Sequence, residues 1–304
     1  ILGSFTWNNP KNRFVRVSAL NELRRQAIEA LDAALDAAKK QTNDSIKAQI
    51  RSPAINSAPS GRKDLWLLKT DRLEHLAALE EEDWRGVAEV VIDIGNDAVD
   101  LLEKRLRDLS ERRGRDSIRL ALPIITRQWE ESPLREKIQR LRSAGWNKWE
   151  AANMSAWTFL GLDPQAGLPD LDLSTDWSVY VVNRQAALQA FEMGAGRVML
   201  SREDGLGNIR PLLAEFGSKA GVIVYQDTPL FISESCAYAN LANGCAGRNA
   251  CRFEKMELGS SAGEALQVLN AQCRTVAINE RPLCLSSCLG KLREAGAGVF
   301  RAAF

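Results

Sequence analysis

Histidine is scarce in this sequence, which contains a single one, His75. Nucleophile–histidine catalysis and His-Glu-x-x-His zinc sites both need imidazoles at set positions. His75 lies in the helical-looking stretch DRLEHLAALEEED, where a solvated or packed histidine is the ordinary case. The glycine patterns of Walker and dinucleotide-binding loops are absent as well. We therefore predict no catalytic triad, no zincin site and no nucleotide cofactor.

An excess of charge of either sign is also missing. Lys and Arg total 40 against 39 Asp and Glu, so no overall field attracts nucleic acid or an anionic membrane, and any RNA contact must be a local patch. No apolar run approaches the roughly 20 residues of a membrane span, and no signal peptide follows Ile1. We expect a cytoplasmic protein without a membrane partner. Because the sequence begins with Ile, we also expect it to be part of a longer protein.

The first 63 residues are predicted to form a helical segment and a linker. The stretch SALNELRRQAIEALDAALDAAKKQTND places apolar residues at helical spacing, including Leu20, Ile28 and Leu31, and Ser18 is a candidate N-cap. The following RSPAINSAPSGRKD is rich in Pro, Ser and Gly and has no periodicity, which is typical of an exposed linker. We therefore divide the chain into 1–63 and a second domain at 64–304.

From Asp64 onward, short apolar β-type runs alternate with helical runs, as in parallel strands joined by helical crossovers. We predict eight strands, at 65–70, 88–94, 117–125, 149–155, 177–183, 196–202, 221–226 and 274–285. Helices between them are predicted to end at Gly114 and Gly145. The fold predicted for 64–304 is an α/β barrel of the (β/α)8 TIM-barrel type with a C-terminal cysteine-rich loop, and the N-terminal helical segment precedes it.

Polar residues end several of the predicted strands. They are Asp93, Asn153, Asn183, Arg202 with Glu203, and Gln226 with Asp227. The carboxyl ends of barrel strands form the face where ligands bind, although polar residues also end strands simply because a loop begins. From this set we predict that Asn153, Asn183, Arg202 and Glu203 line the substrate pocket.

The remaining candidate functional residues are six cysteines, at positions 236, 245, 251, 273, 284 and 288. Their spacing contains no C-x2-C of a zinc ribbon or ferredoxin, and without a secretory signal a disulfide framework is the weaker interpretation. Gly244 and Gly247 give a flexible loop whose N–H groups suit thiolate sulfurs, and Arg248 and Arg252 would offset thiolate charge. Spacing alone leaves an iron–sulfur cluster, zinc held by four cysteines, and no metal as alternatives.

Four stretches together resemble a known family: LNELRR near the start, LALPII at 120–125, VNRQAALQAFEMGAGRVMLSRE at 182–203, and TPLFISESCAYANLANGC followed by RTVAINERPLCL. They are similar to the C-terminal part of the long members of the collagenase-like peptidase family U32. The resemblance covers nearly the whole chain from Val17. It implies a barrel-like fold with a four-iron four-sulfur cluster held by four cysteines, and a role in hydroxylating an RNA base or a quinone.

Carried over to this sequence, the resemblance implies that Cys236, Cys245, Cys251 and Cys273 are the cluster ligands. Cys284 and Cys288 have no counterpart. The family's signature, an acidic residue, an aromatic, a glycine and then cysteines spaced with glycine and serine, belongs to the N-terminal half of long members and is absent. The chain therefore resembles the second barrel of a longer protein, which makes the preceding N-terminal portion an expected partner.

Three functions follow from these observations. The first is support of iron–sulfur-dependent hydroxylation of an RNA base or a similar aromatic acceptor, as part of an enzyme. The second is a collagenase-like peptidase, which would need a metal such as zinc because the sequence has one histidine and no recognisable nucleophile and base. The third is a non-catalytic scaffold barrel that binds a partner domain or RNA.

Overall fold

The structure is a computed structural model that describes residues 6, 8–49, 64–79, 81–162, 171–247, 250–253, 255–259 and 265–304. The chain divides into two compact units, Ile1–Ala54 and Ile55–Phe304. The predicted linker at 51–63 lies outside the described residues, so the predicted boundary near Asp64 stays a prediction.

The first unit contains one long helix, α1 (Val17–Gln49), which confirms the helix predicted from periodicity. Ser18 is not its N-cap, because the helix begins one residue earlier, at Val17. The apolar side chains that fixed the prediction are exposed within this unit, as at Leu31. No described helix, α1 included, has the length and apolar character needed to cross a bilayer.

The second unit alternates strands and helices along the chain. Its strands are β1 (Leu65–Thr70), β2 (Val87–Asp93), β3 (Ile118–Ala121), β4 (Lys148–Ala151), β5 (Asp172–Thr175), β6 (Ala195–Met199), β7 (Ala220–Gln226), β8 (Pro229–Ser233), β9 (Lys255–Gly259), β10 (Ala265–Ala271), β11 (Arg274–Asn279), β12 (Leu283–Cys284) and β13 (Val299–Ala303). Its helices are α2 (Leu73–Ala77), α3 (Val99–Arg113), α4 (Glu131–Ser143), α5 (Ser155–Phe159), α6 (Arg184–Glu192), α7 (Leu206–Phe216), α8 (Ala237–Leu241) and α9 (Leu289–Glu294).

Eight parallel strands close into a barrel. The ring runs β1-β2-β3-β4-β5-β6-β7-β13 and returns from β13 to β1, where Leu67 pairs with Arg301. This arrangement confirms the predicted (β/α)8 TIM-barrel-like fold. The predicted helix ends are confirmed too, since Gly114 follows α3 with φ +82° and Gly145 follows α4 with φ +85°.

Two of the eight predicted strands were wrong. The run at 177–183 begins with a short 3-10 turn, because the Asp176 carboxylate accepts a hydrogen bond from the Trp177 amide and Tyr180 is left-handed at φ +57°; the barrel strand is β5, just before it. The run at 274–285 forms β11 and β12, and the eighth barrel strand is β13 at the chain's end. The run at 274–285 therefore forms strands as predicted but not a member of the parallel ring, whereas the local structure at 177–183 overrode the β propensity of that run.

The barrel packs in the usual two shells. Side chains that point outward from the strands, such as Val90, Trp149 and Phe300, are buried against the surrounding helices. Inside, Leu67, Met199 and Val299 form part of an apolar layer. A Cβ on Gly221 would lie 2.5 Å from the Met199 sulfur, so a larger residue at that β7 position would require the Met199 side chain to shift within this layer.

An insertion between β7 and β13 forms a second, antiparallel sheet in the order β8-β11-β10-β9. Its core is small: Phe253, Val268 and Ala277 are buried. The β10–β11 hairpin turns through Gln272 and Cys273, which both have positive φ, +55° and +65°. This insertion contains the four cysteines that the family resemblance assigns as ligands.

Candidate active site at the barrel mouth

The barrel interior contains buried ion pairs toward the amino ends of its strands. The Arg119 guanidinium donates to the Glu89 carboxylate (Nε to Oε1, 2.9 Å) and to Asp172 (Nη2 to Oδ1, 2.9 Å), and Arg197 also pairs with Glu89. Burial alone would raise the pKa of Glu89, but the charges of Arg119 and Arg197 outweigh it and lower that pKa. These charges close the end of the barrel that is distant from the ligand-binding face.

A second ion network occupies the carboxyl-end mouth of the barrel. The Lys69 ammonium lies 2.8 Å from Glu150 Oε1 and 2.6 Å from Asp176 Oδ2, while Arg301 pairs with both carboxylates. Burial by itself raises the pKa of Asp176, but the charges of Arg301 and Lys69 hold that pKa well below its usual value. Asp176 therefore stays ionised in a nearly water-free position, where it pairs with two cations.

A cavity of about 380 Å³ opens between this network and the insertion, and we name it the mouth cavity. Its polar lining from the barrel includes Lys69, Asp71, Arg72, His75, Asp93, Asp176, Gln226 and Asp227. Trp177, Ile124 and Phe304 add apolar surface, and the insertion covers the cavity with residues such as Leu269 and Ile278. Concave, mostly apolar lining with a few convergent polar groups is what small-molecule sites share.

Asp93 is the carboxyl group in the mouth cavity whose pKa is raised toward neutral pH. Burial raises the pKa of Asp93 to about 6, although the charge of Lys69 and a hydrogen bond from the Gly95 amide (2.7 Å to Oδ1) act against that rise. A carboxyl group with such a pKa holds and releases a proton near physiological pH. Asp93 is therefore equipped to act as a general acid or base on a bound ligand.

His75, which the sequence pattern sets aside, lies on the wall of the same cavity. Its Nδ1 is 3.2 Å from the Thr70 hydroxyl and 3.6 Å from Asp71 Oδ1. Burial raises the pKa of Asp71. The cavity wall thus contains an imidazole and a second carboxyl group in addition to Asp93.

The four residues predicted to line the substrate pocket lie in the loops that follow β4, β5 and β6, and none of them lines the mouth cavity. Asn153 binds the Ile124 carbonyl (2.7 Å) and the Ser155 amide, and Asn183 caps α6 by accepting from Ala186 N. These are turn and cap contacts. Their role in binding substrate stays a prediction.

Arg202 and Glu203 lie nearer the mouth. The Arg202 guanidinium carbon is 3.6 Å from the centroid of the Trp177 ring, and Trp177 lines the cavity. Glu203 accepts a hydrogen bond from the Tyr180 hydroxyl at 3.3 Å. Arg202 is therefore placed to support the cavity wall from behind, and its contact with substrate is untested.

The four predicted ligand cysteines are spread over the insertion. Cys236 and Cys251 pack against the same small apolar cluster, and Cys251 and Cys273 line one cavity next to the mouth. Cys245 is exposed, and its sulfur accepts from the Gly247 amide at 3.4 Å. Arg248, predicted to offset thiolate charge, lies outside the described residues.

Among the described side chains, no group of three or more His, Cys, Asp or Glu is placed to hold one metal ion. A single tetrahedral ion needs its sulfurs within one coordination sphere, whereas each thiolate of an iron–sulfur cluster binds a different iron. The thiols are chemically suitable for such a cluster, but as placed they do not form a closed site. Iron–sulfur or zinc ligation by these cysteines stays a prediction.

The residues that the sequence analysis missed are mostly charged residues inside strands. Lys69, Glu150 and Arg301 interrupt apolar β runs, and a charge inside such a run is a signal that could have indicated the mouth network. Asp93 and Gln226 were recognised as polar strand ends, and both line the mouth cavity.

Fold and site together define an α/β barrel protein with a ligand cavity at the carboxyl ends of its strands. The chain belongs to peptidase family U32, whose sequence profile matches residues 99–302. A solved structure, that of the U32 peptidase Mk0906, is similar at 16% identity and a TM-score of 0.37, covering 58% of this chain and 74% of that one. No curated protein matches the chain.

Proposed function

We propose that this chain forms part of an enzyme that hydroxylates an RNA base or a similar aromatic acceptor in an iron–sulfur-dependent reaction, with the acceptor ring in the mouth cavity. One observation carries the proposal: a carboxyl group with a pKa of about 6 lies in a cavity that the cysteine-bearing insertion covers. The preceding portion of the longer protein is the proposed partner.

The cavity's chemistry matches a planar heterocycle. Trp177 and Phe304 offer apolar faces, and about 380 Å³ falls within the usual range for small-molecule sites. Gln226 Oε1 is buried without a hydrogen-bond partner, so it is an acceptor that a ring N–H would satisfy. Asp93 offers a second polar contact whose protonation depends on pH.

We assign roles in the proposed reaction to Asp93, Lys69 and the four cysteines from the chemistry of their side chains. Converting an aromatic C–H to C–OH with the oxygen of water forms a C–O bond, breaks the C–H bond, and releases two protons and two electrons that must pass to an external electron acceptor. Asp93 can accept one of these protons, and Lys69 beside Asp176 stabilises negative charge at the mouth. When bound, an iron–sulfur cluster would supply the electron chemistry, and Cys236, Cys245, Cys251 and Cys273 would hold it.

Anaerobic purification tests the cofactor. We expect a brown protein with four irons per chain, and we expect Cys245→Ser to lose that iron. Cys284→Ser is the matched control, because Cys284 is equally exposed but has no proposed ligand role. Iron that persists in all four single Cys→Ser variants, or iron-free wild-type protein prepared without oxygen, would contradict the proposal.

The alternatives predict different results in the same preparation. A metal-dependent peptidase would cleave peptides after zinc addition and stop after chelation. A scaffold would contain neither iron nor zinc, and it would bind RNA or the N-terminal portion without turnover. The cytoplasmic location stays a prediction.

A further inference from the structure

A second cavity of about 620 Å³ lies beside the mouth cavity, and we name it the Trp129 cavity. Pro123, Leu134 and Phe253 contribute apolar surface to it. Asn270 of the insertion lines both cavities, so they adjoin. Neither the carboxyl chemistry of the mouth nor the family membership gives this larger space a role.

Trp129 presents an aromatic ring in this cavity, and 69% of the residue's surface is exposed. The Arg127 guanidinium carbon lies 5.5 Å from the ring centroid. Arg127 itself is fixed from two sides, since it donates to Glu234 Oε2 at 2.5 Å and to the Gln272 carbonyl at 2.8 Å. The ring is therefore an exposed aromatic face beside an anchored guanidinium, and it is accessible for stacking.

The cavity also offers hydrogen-bond capacity that the protein leaves unused. The Lys137 ammonium donates to the carbonyls of Ile94 (2.6 Å) and Asp97 (2.7 Å), which uses two of its three protons. Thr126 Oγ1 is buried and has no hydrogen-bond partner. A ligand with a carbonyl group on the edge of a planar ring would accept from both.

The hairpin tip of the insertion separates the two cavities. Gln272 donates to the Gly95 carbonyl and to Asn96 Oδ1, both at 3.0 Å, and this anchors the tip to the loop after β2. Two rings joined by a short backbone could enter on either side of this tip. Bases splayed apart in this way are how proteins usually read single-stranded RNA.

We propose that the Trp129 cavity binds the nucleobase next to the one in the mouth cavity, stacked on Trp129, with its carbonyl edge toward Lys137 and Thr126. This inference rests on the proposed function for the first ring. It narrows the acceptor from any aromatic compound to an oligonucleotide of at least two bases.

Isothermal titration with the dinucleotide UpU and with uridine monophosphate tests the inference without metal or turnover. We expect wild-type protein to bind UpU more tightly than the mononucleotide. Stacking on an aromatic side chain contributes about 1–3 kcal/mol per base, so Trp129→Leu should weaken UpU binding about 5- to 150-fold. Trp129→Phe, which keeps a ring, should retain most of the affinity.

Trp84→Leu is the control, because Trp84 also lies under an arginine (Arg113, 4.8 Å) but lines neither cavity. Equal affinity of wild type and Trp129→Leu for UpU would overturn the inference, and so would an absence of UpU binding to wild type. An iron-free protein that binds UpU through Trp129 would contradict the proposed function alone. An iron-loaded protein that ignores Trp129 would contradict this inference alone.

Discussion

The barrel and the insertion differ in where their polar groups lie: those of the barrel interior are buried and paired, whereas the insertion exposes two of its thiols. Inside the barrel, Arg119 and Arg301 are almost fully buried, and both are paired with carboxylates. In the insertion, Cys245 and Cys273 are exposed, and the described core there consists of Phe253 and two smaller residues. The insertion also contains two adjacent non-glycine residues with positive φ.

We infer from this difference that the barrel provides most of the protein's stability, whereas the insertion contributes to its chemistry. Eight closed strands bury most of the apolar surface, so the barrel sets the free energy of unfolding. A four-stranded sheet with a small core opens at lower cost, which suits an element that covers a site and holds exposed thiols. The predictions below test this division.

The largest effect should come from the mouth network of the barrel. Arg301→Met removes a buried cation and leaves Glu150 and Asp176 with Lys69, so we expect a loss of roughly 3–5 kcal/mol in the free energy of unfolding. Urea unfolding followed by circular dichroism measures it.

The control for that experiment is Arg140→Met on the surface, where Arg140 pairs with Asp100 and Glu103 in solvent. We expect little measurable change there, because exposed ion pairs contribute little. Equal effects of the two substitutions would show that the barrel interior is not the source of stability.

Asp93→Asn should stabilise the barrel in a pH-dependent manner. The folded pKa of about 6 exceeds the ordinary 3.8, so the folded protein binds the proton more tightly and stability falls as pH rises from about 4 to about 6. Removing the carboxylate should therefore gain roughly 1–3 kcal/mol near pH 8 and almost nothing near pH 4. Urea unfolding of both proteins at the two pH values measures the gain, and a gain that is equal at both would contradict the assigned pKa.

Much of the barrel could be predicted from the sequence, since alternating β and helical runs gave the fold and the glycines gave helix ends. The two misplaced strands show the limit. The run after Asp176 lost its strand to a local side-chain hydrogen bond, and β11 pairs within the insertion rather than in the ring. A single sequence contains no information on which β run pairs with which.

The site was less accessible to prediction. Asp93 and Gln226 could be found as polar strand ends, but Lys69 and Arg301 belong to the site only because the closed ring brings their strands together. The sequence analysis did not identify Trp129 as a site residue, because the cavity that its ring lines is formed partly by the insertion, which is distant in sequence. Such contacts arise from tertiary structure, which local patterns do not specify.

A smaller effect is expected at the ion pairs that join the insertion to the barrel loop before α4. Arg274 donates to Glu234 (2.8 Å) within the insertion and to Glu130 (2.9 Å) of that loop. Arg274→Met should speed hydrogen exchange of β10 and β11 amides about tenfold while β1 and β2 stay protected. Arg293→Met, which breaks a pair with Asp64 elsewhere, is the control. Uniform acceleration across both regions would show that the insertion does not open by itself.

The smallest effect concerns the strained hairpin tip. Cys273 has φ +65°, a left-handed conformation that glycine adopts freely and other residues adopt at a cost of about 1 kcal/mol. Cys273→Gly and Cys273→Ala both remove the exposed thiol, but only glycine relieves the strain. We therefore expect the glycine variant to be more stable than the alanine variant by about 0.5–1 kcal/mol, measured by thermal unfolding of the two proteins side by side. Equal stability would mean that the tip is relaxed, and the difference in stability between the barrel and the insertion would then rest on the sizes of their cores alone.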